Sequence, residues 1–253
     1  LEDPDKYFTA KTKFVAVIHQ SNVLGTINPV KDIVRMAHDV GAVTLVDGAQ
    51  WVPHGHTDIK DIDCDFYAFS GHKMLGPTGI GILYGKPELL EKMQPFQGGG
   101  EMIKSVTMEQ STWNDIPYKF EAGTPNIAQA IGLGSAVKYI QKIGLDVIQK
   151  HGRDLTKYAM KKLKQMDSIK IHGHHYDRGP VISFEVTGVH PQDLAQFLDQ
   201  DGISIRAGQL CAQPIMDKLG VFATNRASFY IYNNEQDIDI FCESIEKTTK
   251  IFA

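Results

Sequence analysis

"YAFSGHKMLGPTGIGIL", Tyr67 to Leu83, places a lysine between an apolar run and a turn spaced by glycines. The run beginning at "DFYAFS" is short and rich in aromatic residues, as a strand is, and "GIGILYG" resumes a second strand after the turn. Lys73 therefore falls just past the carboxyl end of a strand. Ligands of open α/β sheets bind outside the carboxyl ends of the strands, so this stretch bears on fold and chemistry together.

Toward the amino terminus, "AVTLV" reads as a strand ending at Asp47, and "FVAVI" (Phe14 to Ile18) as another, followed by a turn containing Asn22 and Gly25. Between them Val30, Ile33, Val34, Ala37 and Val40 recur at helical spacing, with Asn28 placed to cap, Pro29 in the first turn and Gly41 as the stop. Strand, helix and strand in this order form a β-α-β unit, so the first half is predicted to be an α/β sheet.

Toward the carboxyl terminus, Gly98, Gly99 and Gly100 open a loop-rich stretch that runs to Asn126, where periodicity fades. Long ordered loops in compact proteins tend to be functional. A helical pattern then runs from Ile127 to Met166 with a break near Gly144. After it, "IKIHG", "PVISFEV", "ISIR" and "ASFYIY" read as strands and "PQDLAQFLDQ" and "EQDIDIFCESIEKTTKIF" as helices, which predicts a smaller α+β domain.

With 253 residues, 42% of them hydrophobic and 22% charged, the chain can build a real core in one large or two modest domains. A net charge of -4 and scattered Lys and Arg lack the basic footprint of a nucleic-acid binder. No apolar run approaches the roughly 18 residues of a membrane span, and "LEDPDKYF" is no secretory signal, so the chain reads as soluble and intracellular. Cys64, Cys211 and Cys242 have no C-x-x-C spacing, which points to neither a disulfide framework nor a zinc knuckle and leaves room for a reactive thiol. The histidines of "IHGHHYD" (His172, His174, His175) and "PHGH" (His54, His56) lack a completing ligand set and read as solvated loop residues rather than a metal site. "GPTGIG" precedes a strand instead of joining strand to helix, so it is no dinucleotide fingerprint.

The polar residues after the predicted strands form one group: Asn22 after the first, Asp47 and Gln50 after the second, Ser70, His72 and Lys73 after the third. An amine beside an anion site, with a carboxylate near, suits a Schiff-base enzyme, because pyridoxal phosphate bonds a lysine while an acid partners its pyridine nitrogen. The plainer alternative has Asp47 capping a helix and Ser70 and His72 satisfying a turn. Spacing by itself leaves both open.

In order along the chain, "SNVLG", "LVDGAQ", "DCDFYAFSGHKMLGPTGIGILYGK", "FEAGTPN" and "RAGQLCAQP" resemble the motifs of the group II cysteine desulfurases of the Suf type. The likeness runs through nearly the whole chain. It implies the fold-type I architecture of aspartate aminotransferase, with a partial pyridoxal-phosphate-binding large domain over residues 1–135 and a small α+β domain over 136–253. It also implies an activity: removal of sulfur from L-cysteine to give L-alanine and a persulfide, feeding iron-sulfur or other sulfur-cofactor assembly. By this resemblance Lys73 bonds the cofactor and moves protons, Asp47 pairs with the pyridine nitrogen, Gln50 contacts the ring oxygen, and Ser70 and His72 bind phosphate. Thr124 is expected to reach the phosphate of a partner subunit, which implies a homodimer. Asn22 and Arg226 would hold the substrate carboxylate with Arg206 assisting, and Cys211 would be the nucleophile that becomes the persulfide.

The family usually shows R-T-G-x-x-C, whereas Ala207 stands in place of the threonine here. A short connection before Cys211 implies a dedicated sulfur-acceptor protein. Set against the family, the amino-terminal part of the large domain is expected to be missing, or carried by a separate chain. Alternatives within this resemblance are a selenocysteine lyase, acting on L-selenocysteine, and a catalytically silent fragment or scaffold subunit; Cys211 argues against an aminotransferase or epimerase. The expected location is cytoplasmic or organellar. Cys64 and Cys242 are expected to be packed thiols.

Overall fold

The computed structural model describes residues 3–173 and 178–252. The chain divides into two compact units, one made of Leu1–His19, Pro29–Pro53 and Thr57–Lys142, the other of Gln20–Asn28, His54–His56 and Ile143–Ala253. The first unit thus runs past residue 135, and two short segments from the first half of the chain belong to the second unit.

In the first unit, strands β1 (Phe14–Ile18), β2 (Val43–Asp47), β3 (Phe66–Ser70) and β4 (Gly81–Gly85) lie in sequence order. The first three are parallel and β4 returns antiparallel to β3. Register aligns Ile18 with Asp47 and Asp47 with Ala68, so the polar residues that follow β2 and β3 emerge at the same end of the sheet. Helix α1 (Val30–Asp39) makes the first crossover and buries Val30, Ile33, Val34 and Ala37, the apolar positions of the sequence pattern. Its N-cap is Pro29, one residue after Asn28. The short α2 (Ile59–Ile62) starts at Asp58, whose side chain accepts hydrogen bonds from the Lys60 and Asp61 amides. Val30, Val34, Val46, Ile62, Cys64 and Tyr67 form the core against this side of the sheet. The other side exposes apolar surface: Phe14, Leu45, Phe66 and Leu83 line a cavity of about 500 Å³ with Leu89 and Met93 of α3 (Pro87–Lys92) and its end. The loop-rich stretch holds an antiparallel hairpin of β5 (Ile103–Val106) and β6 (Ser111–Trp113). Helix α4 (Ile127–Ile143) follows.

The second unit is an antiparallel sheet covered by helices. Gly144 breaks the helical pattern as expected, and α5 (Leu145–Leu163) begins after it. The strands β7 (Ile169–Ile171), β8 (Val181–Val186), β9 (Arg206–Gly208) and β10 (Thr224–Ser228) lie in the order β7-β8-β10-β9. Helices α6 (Pro191–Gln200) and α8 (Glu235–Phe252) join α5 over a core that includes Leu155, Leu163, Ile182, Phe184, Leu194, Leu198, Ile238 and Ile245. A fourth helix, α7 (Gln213–Leu219), follows Cys211. Two strands differ from the sequence reading: "ISIR" enters pairing only at Arg206, and "ASFYIY" stops pairing at Ser228. Ile203 and Ile205 pack on the core without a ladder, and Phe229 and Tyr230 are buried beyond the strand end, so their apolar pattern reports burial, not pairing.

The segment Gln20–Asn28 is held in the second unit by backbone and side-chain bonds: Gly179 N–H donates to Gly25 O at 2.8 Å, and Ser183 Oγ donates to Val23 O at 2.5 Å. Gly25 has φ +71, and a Cβ there would stand 2.8 Å from Arg178 Cγ and 2.9 Å from Val181 Cγ2. Only glycine fits such a turn without strain. Among the described residues, no helix is long and apolar enough to cross a membrane.

Candidate active site

The first unit gathers six of the ten residues singled out by sequence. Asp47 is the last residue of β2 and exposed; its Oδ1 accepts the Ala49 N–H at 2.9 Å, an Asx-type turn that leaves its second oxygen to solvent. Gln50 lies half-buried on the same turn. Ser70 ends β3, and its hydroxyl is 2.8 Å from His72 Nδ1. Lys73 sits half-buried on the 3-10 turn Gly71–Met74, which closes with Leu75 at φ 64. Its ammonium makes no hydrogen bond or ion pair with the described residues, whereas buried Lys119 caps the end of α3 through the Leu90 and Glu91 carbonyls. Thr124 is exposed on the loop before α4. A free amine, a hydroxyl–imidazole pair and a carboxylate on one sheet edge are chemically fit for a phosphorylated aldehyde cofactor with a basic ring nitrogen.

The other four lie in the second unit. Arg206 and Arg226 are direct cross-strand partners on β9 and β10. Two like charges opposed in a ladder are destabilising unless an anion joins them, and neither guanidinium has a carboxylate partner among the described residues. Burial holds the Arg226 pKa below its ordinary value, Arg206 pushes it the same way, and Cys211 opposes them. Asn22 donates its side-chain N–H to Leu210 O at 2.8 Å. Cys211 follows at φ 58 and is exposed. Cys64 and Cys242 are buried, and burial pushes the pKa of each up to about 11, which keeps them protonated. Of the three cysteines only Cys211 is accessible. The packed reading of the other two is correct.

The histidines divide differently from the sequence reading. His172 is buried, with Nε2 2.5 Å from Glu185 Oε1, because it directly follows β7 and its N–H still bonds Ser183 O of β8. His54 is half-buried against the Tyr230 ring, and burial lowers its pKa to about 4. His56 is exposed and paired with Asp146 at 3.0 Å. His174 and His175 lie outside the described residues.

Sequence reasoning passed over the support beneath Asp47. His19 Nδ1 is 2.9 Å from Tyr67 Oη, and its ring stacks on Trp51 at 4.5 Å between centroids. The Tyr67 ring in turn lies against Gly48, where a Cβ would stand 2.1 Å from Tyr67 Cε1. Burial lowers the His19 pKa to about 4 and raises that of Tyr67 above its ordinary range, so both are neutral at physiological pH. A polar aromatic directly after β1 and another on β3 were the available signal.

The α/β sheet, with three parallel strands and an antiparallel fourth, has the fold-type I architecture of the aspartate aminotransferase kind. Residues 1–241 match the family model described as aminotransferase class-V, and the chain belongs to that family. It is 53% identical over 253 residues to a probable cysteine desulfurase of Halalkalibacterium halodurans, covering all of this chain and 62% of that protein. It is 50% identical over 254 residues to a cysteine desulfurase of Haloferax volcanii, covering all of this chain and 60% of that one. A crystal structure of an Escherichia coli cysteine desulfurase superposes with a TM-score of 0.95 at 38% identity over the whole chain and 64% of its own. The apo cysteine desulfurase of Thermococcus onnurineus gives 0.91 at 40% identity, over 94% of this chain and 60% of its own. The chain spans about three fifths of the length of the curated relatives it matches.

Proposed function

We propose that this chain is catalytic material of a pyridoxal-phosphate-dependent cysteine desulfurase, which takes sulfur from L-cysteine, leaves L-alanine and carries the sulfur as a persulfide on Cys211. The observation that carries the reading is Cys211 itself: the one accessible thiol, on a left-handed turn after β9, whose Arg206 faces Arg226 of β10, neither with a carboxylate partner among the described residues. Relatives about half identical in sequence are named cysteine desulfurases, which supports it.

Residues 1–135 are read as part of the cofactor-binding large domain and 136–253 as the small domain. Pyridoxal phosphate, when bound, supplies an electron sink that weakens bonds at the substrate's amine-bearing carbon. Lys73 would hold it, Asp47 would keep its ring nitrogen protonated, Gln50 would contact its ring oxygen, and Ser70 with His72 would take its phosphate. Thr124 reaches the phosphate of a second copy in a homodimer. Arg226, assisted by Arg206 and Asn22, binds the substrate carboxylate, for which a planar fork of donors is suited. The Cys211 thiolate attacks the substrate sulfur; the S–S bond forms as the C–S bond breaks. The electron pair left on carbon takes a proton delivered at Lys73 Nζ, giving alanine. A sulfur-acceptor protein then removes the outer sulfur for iron-sulfur or other sulfur-cofactor assembly. Three free thiols suit a reducing cytoplasm.

The test is alanine and persulfide formation from L-cysteine by the chain loaded with pyridoxal phosphate, beside Cys211→Ala and Lys73→Ala. Alanine formed only when both residues are present supports the reading. Alanine from the Cys211→Ala chain, or turnover of L-selenocysteine alone, refutes it.

A further inference from the structure

We propose that Asn22 is a positioning residue: its side-chain amide pins the turn that presents Cys211, and Arg226 holds Asn22 in place. The inference rests on the reading of Cys211 as the nucleophile.

Leu210 and Cys211 are consecutive non-glycine residues in the left-handed region, at φ 56 and 58, after Gly208 at φ +124. Each such residue is disfavoured by roughly an order of magnitude for an L side chain, so the turn persists only if its surroundings hold it. Three contacts do. Ala212 N–H donates to Gln209 O at 2.9 Å and closes the turn. The Leu210 side chain is buried with Val23 and Met216. Asn22 Nδ2 donates to the Leu210 carbonyl at 2.8 Å, one residue before the sulfur.

Asn22 is itself fixed. Arg226 Nη1 donates to the Asn22 backbone carbonyl at 2.9 Å, and Arg226 Nε donates to Ser228 Oγ at 3.1 Å. Ser183 bonds the next carbonyl, that of Val23, and Val23 is fully buried against Leu210. Every group in this relay belongs to the second unit. One N–H of the Asn22 amide is therefore committed to the cysteine turn, which leaves the second for the substrate carboxylate, and the arginine proposed to bind that carboxylate also holds the residue that clamps the turn. An anion taken up at Arg226 bears directly on the clamp.

The experiment compares the wild-type chain with Asn22→Ala and Asn22→Asp, the second nearly isosteric but without an N–H to donate, so it serves if the truncated variant does not fold. Losing one net hydrogen bond corresponds to about a tenfold change in local opening. Hydrogen exchange at the Ala212 amide is expected to speed up about tenfold in both variants, with exchange along β8 unchanged and the thermal midpoint lowered by no more than the few degrees that one hydrogen bond carries. In the chain loaded with pyridoxal phosphate, persulfide formation at saturating L-cysteine is expected to slow about tenfold, over and above any rise in KM from the lost carboxylate contact. The clamp is overturned if Ala212 exchange stays at the wild-type rate, if exchange rises equally along β8, or if KM alone rises, which marks a substrate contact. Exchange at Ala212 needs no turnover. Should Cys211→Ala still make alanine, the desulfurase reading fails while the exchange result still decides the clamp.

Discussion

Acidification from pH 7 to pH 4 should loosen the first unit through one buried ring. His19 is 7% exposed, bonded to the Tyr67 hydroxyl at 2.9 Å and stacked on Trp51. Burial lowers its pKa from 6.5 to about 4, whereas in the unfolded chain it takes a proton near 6.5. Between those values the unfolded state binds the extra proton and the native state does not, so stability is complete above pH 6.5 and drains away as pH falls toward 4. The depression corresponds to about 3 kcal/mol at 1.36 kcal/mol per pH unit, a ceiling because an acid-loosened site admits water. Asp65 does not blur this window: burial raises its pKa, but hydrogen bonds from His38 and Thr44 outweigh that, and the net lowering confines its loss of support to more acid conditions. His54 shares the window but lies in the second unit. Both tryptophans, Trp51 and Trp113, lie in the first unit. Urea unfolding followed by their fluorescence, on the wild-type chain and on His19→Asn from pH 8 to pH 4, therefore isolates the ring. The wild-type midpoint should fall relative to the variant by about 1–3 M across the window, taking about 1–3 kcal/mol per M as the urea dependence. Parallel curves would refute the assignment of that stability to His19.

Gly48→Ala should cost several kcal/mol, because its Cβ would overlap the buried Tyr67 ring at 2.1 Å and the ring has no room to retreat; the urea midpoint measures it, and a stable variant would show that the turn beside Asp47 yields. Arg226→Lys should raise KM for L-cysteine about tenfold, since one ammonium replaces a bidentate fork, and steady-state kinetics would contradict the carboxylate role if KM stayed put. Iodoacetamide at pH 8 should label Cys211 at least about a hundredfold faster than Cys64 or Cys242, whose buried thiols carry pKa values near 11; peptide mass mapping reads the order, and equal labelling would contradict their burial.

What the sequence by itself determined was local. Short apolar runs rich in β-branched and aromatic residues placed β1, β2, β3 and β8, and the 3.6 spacing of Val30, Ile33, Val34 and Ala37 placed α1, because each pattern states how one element is buried. The position of Lys73 after β3 and the motif strings around Asp47 and Cys211 followed from order along the chain. Tertiary structure alone decided the rest. Asn22 follows β1 in sequence, yet Ser183 and Gly179 draw its segment into the second unit. Arg206 faces Arg226 only because the register of β9 on β10 is fixed by pairing, which also moved both strands from their apolar stretches. The neutral state of His19, the left-handed turn at Cys211 and the Asn22 bond to Leu210 arise from burial and contact between residues far apart in the chain. Periodicity records how one element meets solvent. Which residues meet each other depends on packing free energies summed over the whole unit, and no single stretch of sequence contains them.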